Sequence, residues 1–449
     1  MANLIKLRKG LDINLKGKAA AEVVAGKEPG FYALCPDDFT GVTPKVVVKE
    51  QEYVMAGGPL FIDKNHPEVQ FVSPVSGVVT SVERGARRKV LSITVEAAQE
   101  QDYEEFGKED VSKMDAVSVK AALLKSGMFA FIKQRPYDIV ADPTVAPRAI
   151  FVSAFDTNPL APDFELALKG EEANFQTGLD ALAKIAKTYL SISVNQKAVA
   201  LTQAKNVTLT VFDGPHPAGN VGVQINNIAP INKGETVWTI DPQAVIFIGR
   251  LFNTGHVDLT RLVAVTGSEV KKPSYCKLKV GALLTNVFAG NVSTDKNLRY
   301  ISGNVLTGKQ ITANGFLGAF HSQVTVIPEG DDVHEMLGWI MPRFDQFSTS
   351  HSYFSWLMGK KEYTLDARVK GGERHMIMSN EYDRVLPMDI MPEYLIKAII
   401  AGDIDRMEAL GIYEVAPEDF ALCEFVCSSK MELQRIVREG LDMLRREMC

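Results

Sequence analysis

Two cysteines near the end of the chain form the pattern that most suggests chemistry. Cys423 and Cys427 stand in ALCEFVCSSK, and closely spaced thiolates are common ligands of zinc and of iron–sulfur clusters. Such sites usually need four ligands on C-x-x-C turns, whereas this chain has five cysteines in all and a C-x-x-x-C spacing here. On one helical face the two Cβ atoms would be about 5–6 Å apart, too far for a disulfide. We predict buried, unreactive thiols and no metal.

A glycine-rich loop, DGPHPAGNVG, follows the strand-like run NVTLTVF. Its glycines are Gly214, Gly219 and Gly222, and such residues let backbone N–H groups approach a phosphate. However, Pro215 and Pro217 remove two of those donors, and no Lys-Ser/Thr pair follows. We interpret the loop as a rigid turn and as a weak signal for cofactor binding. An autonomous flavin- or nucleotide-binding oxidoreductase stays open as an alternative function on this loop alone.

A third candidate lies in the N-terminal part of the chain. FIDKNHP places Asp63 and Lys64 where lipoyl domains carry their cofactor, and FVSPVSGVVTSV resembles the half-motif of biotinyl and lipoyl carriers. The spacing from Lys64 to Ser73 is longer than in the lipoyl pattern, and Asn65 follows the lysine instead of a small apolar residue. We therefore interpret the region as a carrier-like fold used as plain structure, with a lipoyl- or biotinyl-type carrier as an open alternative.

Composition excludes several classes of protein. A net charge of −6 without a basic stripe argues against nucleic acid as a partner. The longest apolar runs, such as AVIFIG at 244–249, are far shorter than the roughly 18 residues that span a bilayer. Sparse cysteines and the lack of a signal-like N-terminus predict a cytoplasmic protein, which only a partner could hold at a membrane. We predict no catalytic residue, since no hydrolase, metalloprotease or P-loop motif occurs.

The pattern of apolar residues predicts a multi-domain α/β chain. Residues 1–100 contain short alternating strands typical of a small antiparallel β-domain, and 101–256 alternate helical and strand-like runs, which predicts an α/β domain with a mainly parallel sheet. Residues 257–330 are again β-rich, and 331–449 comprise a linker and a C-terminal helical domain. Weak periodicity over 331–384 indicates a linker or a partner-facing segment.

Collinear segments throughout the chain resemble the family of A subunits of the bacterial Na+-translocating NADH:quinone oxidoreductases. The resemblance rests on KLRKGLDINLKG, FVSPVSGVVTSVERGARRKVL, AFDTNPLAPD, FDGPHPAGNVG, ISGNVLTG, EYDRVLPMDIMPEYLIKAIIAGDIDRMEALG and EDFALCEFVCSSK. It implies a peripheral cytoplasmic subunit on the inner face of the bacterial inner membrane, in a complex with five other subunits. It also implies a biotinyl/lipoyl-carrier-like β-domain, a Rossmann-like domain, a β-grasp module of the SLBB type and a helical C-terminal domain.

The resemblance further implies that this chain is part of an ion-translocating enzyme without being catalytic by itself. FMN, FAD, riboflavin and iron centres are expected in the partner subunits, of which the most important is an integral membrane subunit that bears flavin. Quinone is the expected substrate of the complex. No cofactor is expected in this chain.

More distant relatives, the C subunit of the Rnf complex and the flavoprotein subunit of respiratory complex I, bind flavin through a glycine-rich loop. At the corresponding place this chain has SGMFAFIKQRPYD, where Gly127 remains and Met128 and Phe129 stand in place of glycines. Bulky side chains there would keep backbone donors from a phosphate. The resemblance thus implies a vestigial flavin loop, with Cys423 and Cys427 as the remnant of a cluster site.

The same segment has gained an aromatic and cationic set at alternating positions, namely Phe129, Phe131, Lys133, Arg135 and Tyr137. These side chains would share one face if the segment were extended. We expect them at the quinone end of the complex, where Arg135 could donate hydrogen bonds to a carbonyl oxygen or a lipid phosphate. In the alternative interpretation, the phenylalanines only fill the former flavin cavity and the cations are solvated.

Overall fold

The computed structural model describes residues 3–26, 28–331, 337, 340–359 and 361–448. The strands in this part of the chain are β1 (Asn3–Lys6), β2 (Val23–Val24), β3 (Phe31–Leu34), β4 (Pro44–Val46), β5 (Tyr53–Val54), β6 (Pro59–Asp63), β7 (Gln70–Val72), β8 (Gly77–Arg84), β9 (Val90–Ala97), β10 (Ile132–Arg135), β11 (Ile139–Val140), β12 (Ile150–Ser153), β13 (Thr188–Ser193), β14 (Thr208–Asp213), β15 (Val237–Ile240), β16 (Thr260–Thr266), β17 (Ser274–Lys279), β18 (Leu298–Ser302), β19 (Lys309–Ile311) and β20 (Gln323–Pro328).

The helices in the same part of the chain are α1 (Ala116–Lys125), α2 (Phe164–Leu168), α3 (Glu172–Ile185), α4 (Val199–Thr202), α5 (Val221–Ile228), α6 (Pro242–Thr254), α7 (Thr285–Phe288), α8 (Glu381–Val385), α9 (Pro392–Ala401), α10 (Ile404–Ala409), α11 (Ala421–Val426) and α12 (Leu433–Met448). Among the described residues, no helix combines the length and the apolar character needed to cross a membrane.

The N-terminal β-region consists of two antiparallel sheets, one in the order β3-β9-β8-β5 and the other in the order β4-β6-β7. Aromatic side chains pack against the second sheet. The rings of Phe61 and Phe71 stack with centroids 4.4 Å apart, and Phe39 meets Phe71 edge-on at 4.6 Å. Such aromatic pairs add to the burial of apolar area that stabilises this small β-region.

The α/β region is built on a seven-stranded sheet in the order β1-β14-β13-β12-β15-β10-β11. Strands β1, β14, β13, β12 and β15 run parallel, whereas β10 and β11 are antiparallel additions at one edge. Helices α3 and α6 pack against each other, and the backbone of Val245 lies where a Cβ on Gly178 would be, at 2.1 Å. A glycine is therefore required at that crossing.

The first two strands of the chain pair outside the N-terminal β-region. Strand β1 pairs with β14 of the α/β sheet, and β2 pairs with β17 of the next sheet. Both are edge positions, where an added strand satisfies backbone groups that would otherwise be open. The first strands of the chain therefore link the other regions together.

The β-rich region forms a six-stranded mixed sheet in the order β19-β18-β20-β16-β17-β2. Beyond it, α8 to α12 pack around a separate apolar cluster. In α12 the five predicted apolar positions are all buried, and they are Leu433, Ile436, Val437, Leu441 and Leu444. The helical face inferred from the 3.6-residue period is therefore the face that packs.

Candidate functional site

A cavity of about 440 Å³ lies at the carboxyl ends of β12 and β15. These neighbouring parallel strands end at Ser153 and Ile240, which both line the cavity. From β12 the chain continues to β13 and β14 on one side, and it returns to β15 on the other side. Ligands of α/β proteins commonly bind at such a change of direction. We call this space the central cavity.

Three regions of the chain form the walls of the central cavity: the α/β region, the β-rich region and the C-terminal helices. Its aromatic lining residues are Phe131, Phe155, Phe164, Tyr275 and Phe320, and its carboxylates are Asp138, Asp156, Asp163, Asp241 and Glu418. The excess of carboxylates makes the cavity a poor place for a phosphate, which needs cations or free N–H donors.

The backbone holds several of these carboxylates in place. Asp241 caps α6, because its Oδ1 accepts hydrogen bonds from the N–H groups of Gln243 at 2.9 Å and Ala244 at 3.2 Å. Asp156 accepts hydrogen bonds from Asn158 at 2.7 Å, and its burial raises the pKa of its carboxyl group. These two carboxylates therefore have hydrogen-bond partners that fix their orientation in the cavity wall.

His321 contributes a neutral hydrogen-bonding group to the cavity wall. Its Nδ1 lies 2.8 Å from the Ser302 hydroxyl, which also accepts a hydrogen bond from the backbone N–H of Gly318. Burial lowers the pKa of His321 to about 4, and the charges of Arg261 and other nearby cations act in the same direction. The imidazole is consequently uncharged at neutral pH.

The loop after Gly127, which the resemblance implies is a vestigial flavin loop, is packed with side chains. Gly127 follows α1 with φ +73°, and a Cβ there would lie 2.6 Å from Val72. The following turn, Met128–Phe131, is buried, and the ring of Phe129 meets Trp238 edge-on at 5.3 Å. The loop therefore contacts protein where a flavin phosphate would need open backbone donors, and its residues do not fit a flavin.

The five residues of the aromatic and cationic set do not share one face. Phe131 and Lys133 line the central cavity, and the Lys133 ammonium lies 4.7 Å from the ring centroid of Phe320. Phe129 is fully buried, and Tyr137 packs against the C-terminal apolar cluster. The expectation of a common face fails because the extended stretch covers only β10 and the residues before it form a turn.

Arg135 is part of a buried ion cluster. Its Nη1 lies 2.7 Å from Asp419 Oδ2 and donates to the carbonyl of Glu414 at 3.2 Å, while its Nη2 lies 2.6 Å from Glu418 Oε1. We predicted a hydrogen bond from Arg135 to a quinone carbonyl or a lipid phosphate. In the structure the guanidinium is buried and binds Asp419, Glu418 and the carbonyl of Glu414 instead. Glu418 has a pKa raised to about 7, because burial and the Asp419 charge outweigh the attraction of Arg135.

The glycines of the loop at 214–222 allow close approach of protein segments. A Cβ on Gly219 would lie 2.7 Å from the Thr157 nitrogen, and a Cβ on Gly222 would lie 2.3 Å from the Asp419 carboxylate. A Cβ on Gly214 would lie 2.8 Å from Leu7. The Gly219 N–H also donates to the Thr157 hydroxyl at 2.9 Å. The close neighbours of these glycines are thus parts of this chain.

Cys423 and Cys427 are both buried in the C-terminal cluster, but they do not lie on one helix. Helix α11 ends at Val426, so Cys427 begins the following turn. The Cys427 sulfur lies 2.9 Å from the Tyr382 hydroxyl, and burial raises the pKa of the Cys423 thiol. Cys449 lies outside the described residues. Within the described part of the chain, no three or more His, Cys, Asp or Glu side chains are placed to hold a metal ion.

Lys64 is exposed in the turn between β6 and β7. The carboxylate of Asp63 beside it is buried and accepts hydrogen bonds from the N–H groups of Thr43 at 3.0 Å and Asn65 at 3.2 Å. The turn is therefore fixed by Asp63. These contacts give Asp63 a structural role in the turn.

Sequence reasoning missed the polar side chains that line the central cavity. Asp156 follows the run AIFVSAF, and Asp241 follows VWTI, each just beyond the end of a buried strand. Since the ends of neighbouring parallel strands meet, these two positions were a usable signal. His321 and Ser302 gave no such signal, because they lie in a different region of the chain.

Comparison with known proteins gives matches in three regions. The family descriptions are "NqrA N-terminal barrel-sandwich hybrid domain" for residues 5–98, "NqrA second alpha/beta domain" for 114–257 and "NQRA C-terminal domain" for 262–313. A protein of Yersinia pestis bv. Antiqua, named as the A subunit of the Na(+)-translocating NADH-quinone reductase, is 35% identical over 449 residues, which cover 99% of this chain and 100% of that protein.

A protein of the same name from Neisseria meningitidis serogroup C is 36% identical over 448 residues, with 99% of this chain and 100% of that protein covered. Among solved structures, an NAD+-reducing [NiFe]-hydrogenase aligns with 12% identity and a TM-score of 0.38, covering 75% of this chain and 64% of the hydrogenase chain. That structural similarity is too low to support an argument.

Proposed function

The chain belongs to the family of A subunits of the Na+-translocating NADH-quinone reductases, and from that membership we propose that it works as a subunit of such a complex. The observation that carries the proposal is the identity of 35%, which runs through 99% of the chain. The complex passes electrons from NADH to quinone and moves Na+. Neither a carrier nor an autonomous oxidoreductase is named among these relatives.

The position of the chain in the complex is proposed to be peripheral, on the cytoplasmic face of the bacterial inner membrane. Five other subunits are expected around it, including an integral membrane subunit that bears flavin. The proposal is supported by the lack of a membrane-crossing helix among the described residues. Attachment to the membrane then depends on contacts with partner subunits.

The role of this chain is proposed to be structural, with FMN, FAD, riboflavin and the iron centres in the partner subunits. Two packing observations support this division. The loop after Gly127 is filled by Phe129 and its contact with Trp238, and Cys427 contacts the hydroxyl of Tyr382 in the apolar cluster. At both places the contacts are made by side chains of this chain, which supports the assignment of the cofactors to the partner subunits.

The quinone-facing part of this chain is proposed to be the side of the central cavity formed by Phe131 and Lys133. An aromatic ring and an ammonium group are suitable neighbours for the ring and carbonyl oxygens of a quinone. Both residues line the cavity, together with Phe320. The segment 127–138 thereby touches quinone or braces the membrane subunit that binds it.

The division into domains is likewise a proposal, with a carrier-like β-domain to residue 100, a Rossmann-like domain over 101–256, a β-grasp module over 257–330 and a linker with a helical domain over 331–449. The order β14-β13-β12-β15 of the parallel strands supports the Rossmann-like label. Strands β1 and β2 are the exceptions, since they cross into neighbouring regions.

The proposal is tested by purifying the tagged chain from detergent-solubilised bacterial membranes. We expect stoichiometric recovery of integral membrane subunits that carry flavin, together with NADH-dependent quinone reduction in the eluate. Recovery of the chain alone from membranes that retain this activity would overturn the proposed function.

A further inference from the structure

An exposed group of large apolar side chains occupies the segment between the β-rich region and the C-terminal helices. Eight such residues are between 41% and 61% exposed, and they are Leu337, Ile340, Met341, Phe344, Phe354, Trp356, Leu357 and Met358. They fall within the described residues 337 and 340–359, which we call the exposed apolar loop. Other exposed apolar residues, such as Val117 and Val199, stand on separate helices.

The backbone of the exposed apolar loop is anchored to the rest of the protein. The ring of Phe347 lies 5.6 Å from Tyr363 and 6.0 Å from Phe425 of the C-terminal cluster. Ser355 is buried, and its carbonyl accepts a hydrogen bond from the Tyr363 hydroxyl at 3.3 Å. The loop is therefore held in place while its large apolar side chains remain open to solvent.

The two arms of the loop lie side by side, and exposed rings from the two arms meet. The N–H of Phe354 donates to the carbonyl of Pro342 at 3.0 Å, and the rings of Phe344 and Phe354 are 5.9 Å apart. The rings of His351 and Trp356 stack with centroids 5.3 Å apart. The exposed rings thus pack against each other and provide a preformed contact surface.

The size of this surface matches one side of a specific protein interface. Large apolar side chains that are about half exposed present roughly 100 Å² each, so eight of them present on the order of 800 Å². This equals about one partner's share of a standard interface, and it exceeds the roughly 300–600 Å² of the largest patch on a typical monomer.

The charge of the loop distinguishes a protein partner from a lipid surface. Residues 337–359 contain one arginine and one aspartate, and the Arg343 guanidinium lies 5.3 Å from the ring centroid of Tyr353. An anionic membrane surface selects clusters of Lys and Arg, each contributing about 1 kcal/mol. A nearly neutral aromatic surface instead fits an apolar, uncharged surface on another protein.

We propose that the exposed apolar loop is the surface on which an integral membrane subunit of the complex docks through an apolar, uncharged patch. This inference rests on the proposed function, which supplies such a partner. It accounts for the attachment of a chain whose described residues contain no membrane-crossing helix. The anchors Phe347 and Ser355 serve to present the loop, and the exposed rings make the contact.

The test uses full-length tagged chain expressed with the other subunits. The triple variant Phe354→Ser, Trp356→Ser, Leu357→Ser removes exposed side chains and leaves both anchors. The control Val117→Ser, Val199→Ser removes apolar residues that are 76% and 65% exposed on other helices. We expect about tenfold or greater loss of membrane subunits from the purified triple variant, because truncating central aromatic anchors weakens an interface strongly. The control should retain them, and circular dichroism should show both variants folded.

A second measurement removes any dependence on the folding of the triple variant. A photoreactive phenylalanine analogue at position 357 should crosslink to a membrane subunit in the assembled complex. Absence of that crosslink, or normal recovery of membrane subunits with the triple variant, would overturn the docking site while the subunit role stands. Binding of the isolated chain to phosphatidylglycerol vesicles that depends on the loop would show that the loop contacts lipid. That result would also overturn the proposed protein docking site. If the wild-type chain brings down no membrane subunit, the proposed function itself fails.

Discussion

Arg135 and Asp419, which are 284 positions apart in the sequence, form an ion pair of 2.7 Å in which both side chains are buried. The pair joins β10 of the α/β sheet to the turn before α11. Glu418 adds a second contact to the same guanidinium at 2.6 Å. The segment that follows Gly127 is thus fastened to the segment that precedes Cys423.

Replacing Arg135 by alanine should destabilise the protein by about 3–5 kcal/mol, because Asp419 would be left buried without its cation. The matched control is Arg148→Ala, which breaks the partly exposed ion pair between Arg148 and Glu235 and should cost about 1 kcal/mol or less. Urea denaturation of the purified chains measures both. Equal effects for the two variants would show that the buried cluster contributes no more than a surface pair.

The stability of this region should depend on pH through Glu418. Its pKa is raised from 4.5 to about 7, so the folded protein binds the proton more tightly than the unfolded chain. The resulting stability is fully present below the unfolded value and is lost as the pH rises through the folded value. Glu418→Gln, which stays neutral, should therefore flatten the fall in the free energy of unfolding between pH 4.5 and 7.

The control is Glu432→Gln, which changes a residue just before α12 whose side chain is 63% exposed. It should keep the wild-type slope of the free energy of unfolding against pH. Other carboxylates with raised pKa values contribute equally to the pH dependence of every variant, so their contribution cancels when the variants are compared. An unchanged slope in Glu418→Gln would contradict the assignment of the titration to this residue.

Purified protein should have no visible absorbance and no stoichiometric iron. The physical reason is that Phe129 fills the loop after Gly127, while the thiols of Cys423 and Cys427 pack inside the apolar cluster. Absorbance spectra and iron analysis after anaerobic purification check this, with Cys423→Ser, Cys427→Ser as the comparison. The prediction would be contradicted by one FMN per wild-type chain. It would also be contradicted by one iron–sulfur cluster per wild-type chain that is lost in the double variant.

Lys133→Gln in the assembled complex should raise the apparent KM for quinone several-fold, since the ammonium that lines the central cavity is removed. NADH oxidation with an artificial acceptor that bypasses quinone should stay normal. The control is Lys64→Gln, which changes an exposed lysine in the β6–β7 turn. An unchanged KM with normal assembly would favour the alternative in which this segment only fills the former flavin cavity.

Local patterns predicted the elements that depend on local spacing. The apolar period of α12 identified the five residues that are buried, because helical geometry alone decides which side chains share a face. The change to strand and helix alternation after residue 100 likewise indicated the α/β region, whose sheet is mainly parallel. In both cases the signal is the local spacing of apolar residues, although the strands of the sheet then pair over longer distances in the sequence.

Such local patterns could not predict contacts between residues that are far apart in the sequence. Nothing near Arg135 in the sequence indicates that Asp419 neutralises it, so its expected role toward quinone was wrong. The same holds for β1, whose pairing with β14 depends on an open sheet edge about two hundred residues away. The central cavity is also assembled from three regions, and only the aspartates after β12 and β15 hinted at it.

Sodium uptake tests the central claim, that this chain is an essential subunit of an Na+-translocating NADH:quinone oxidoreductase, most directly. Inverted membrane vesicles from a strain lacking the gene should take up no Na+ when supplied with NADH, and the wild-type gene should restore uptake. The double variant Cys423→Ser, Cys427→Ser should restore it as well, because those thiols pack in the apolar cluster and are proposed to have no redox role. NADH-driven Na+ uptake at the normal rate in the absence of this chain would contradict the account.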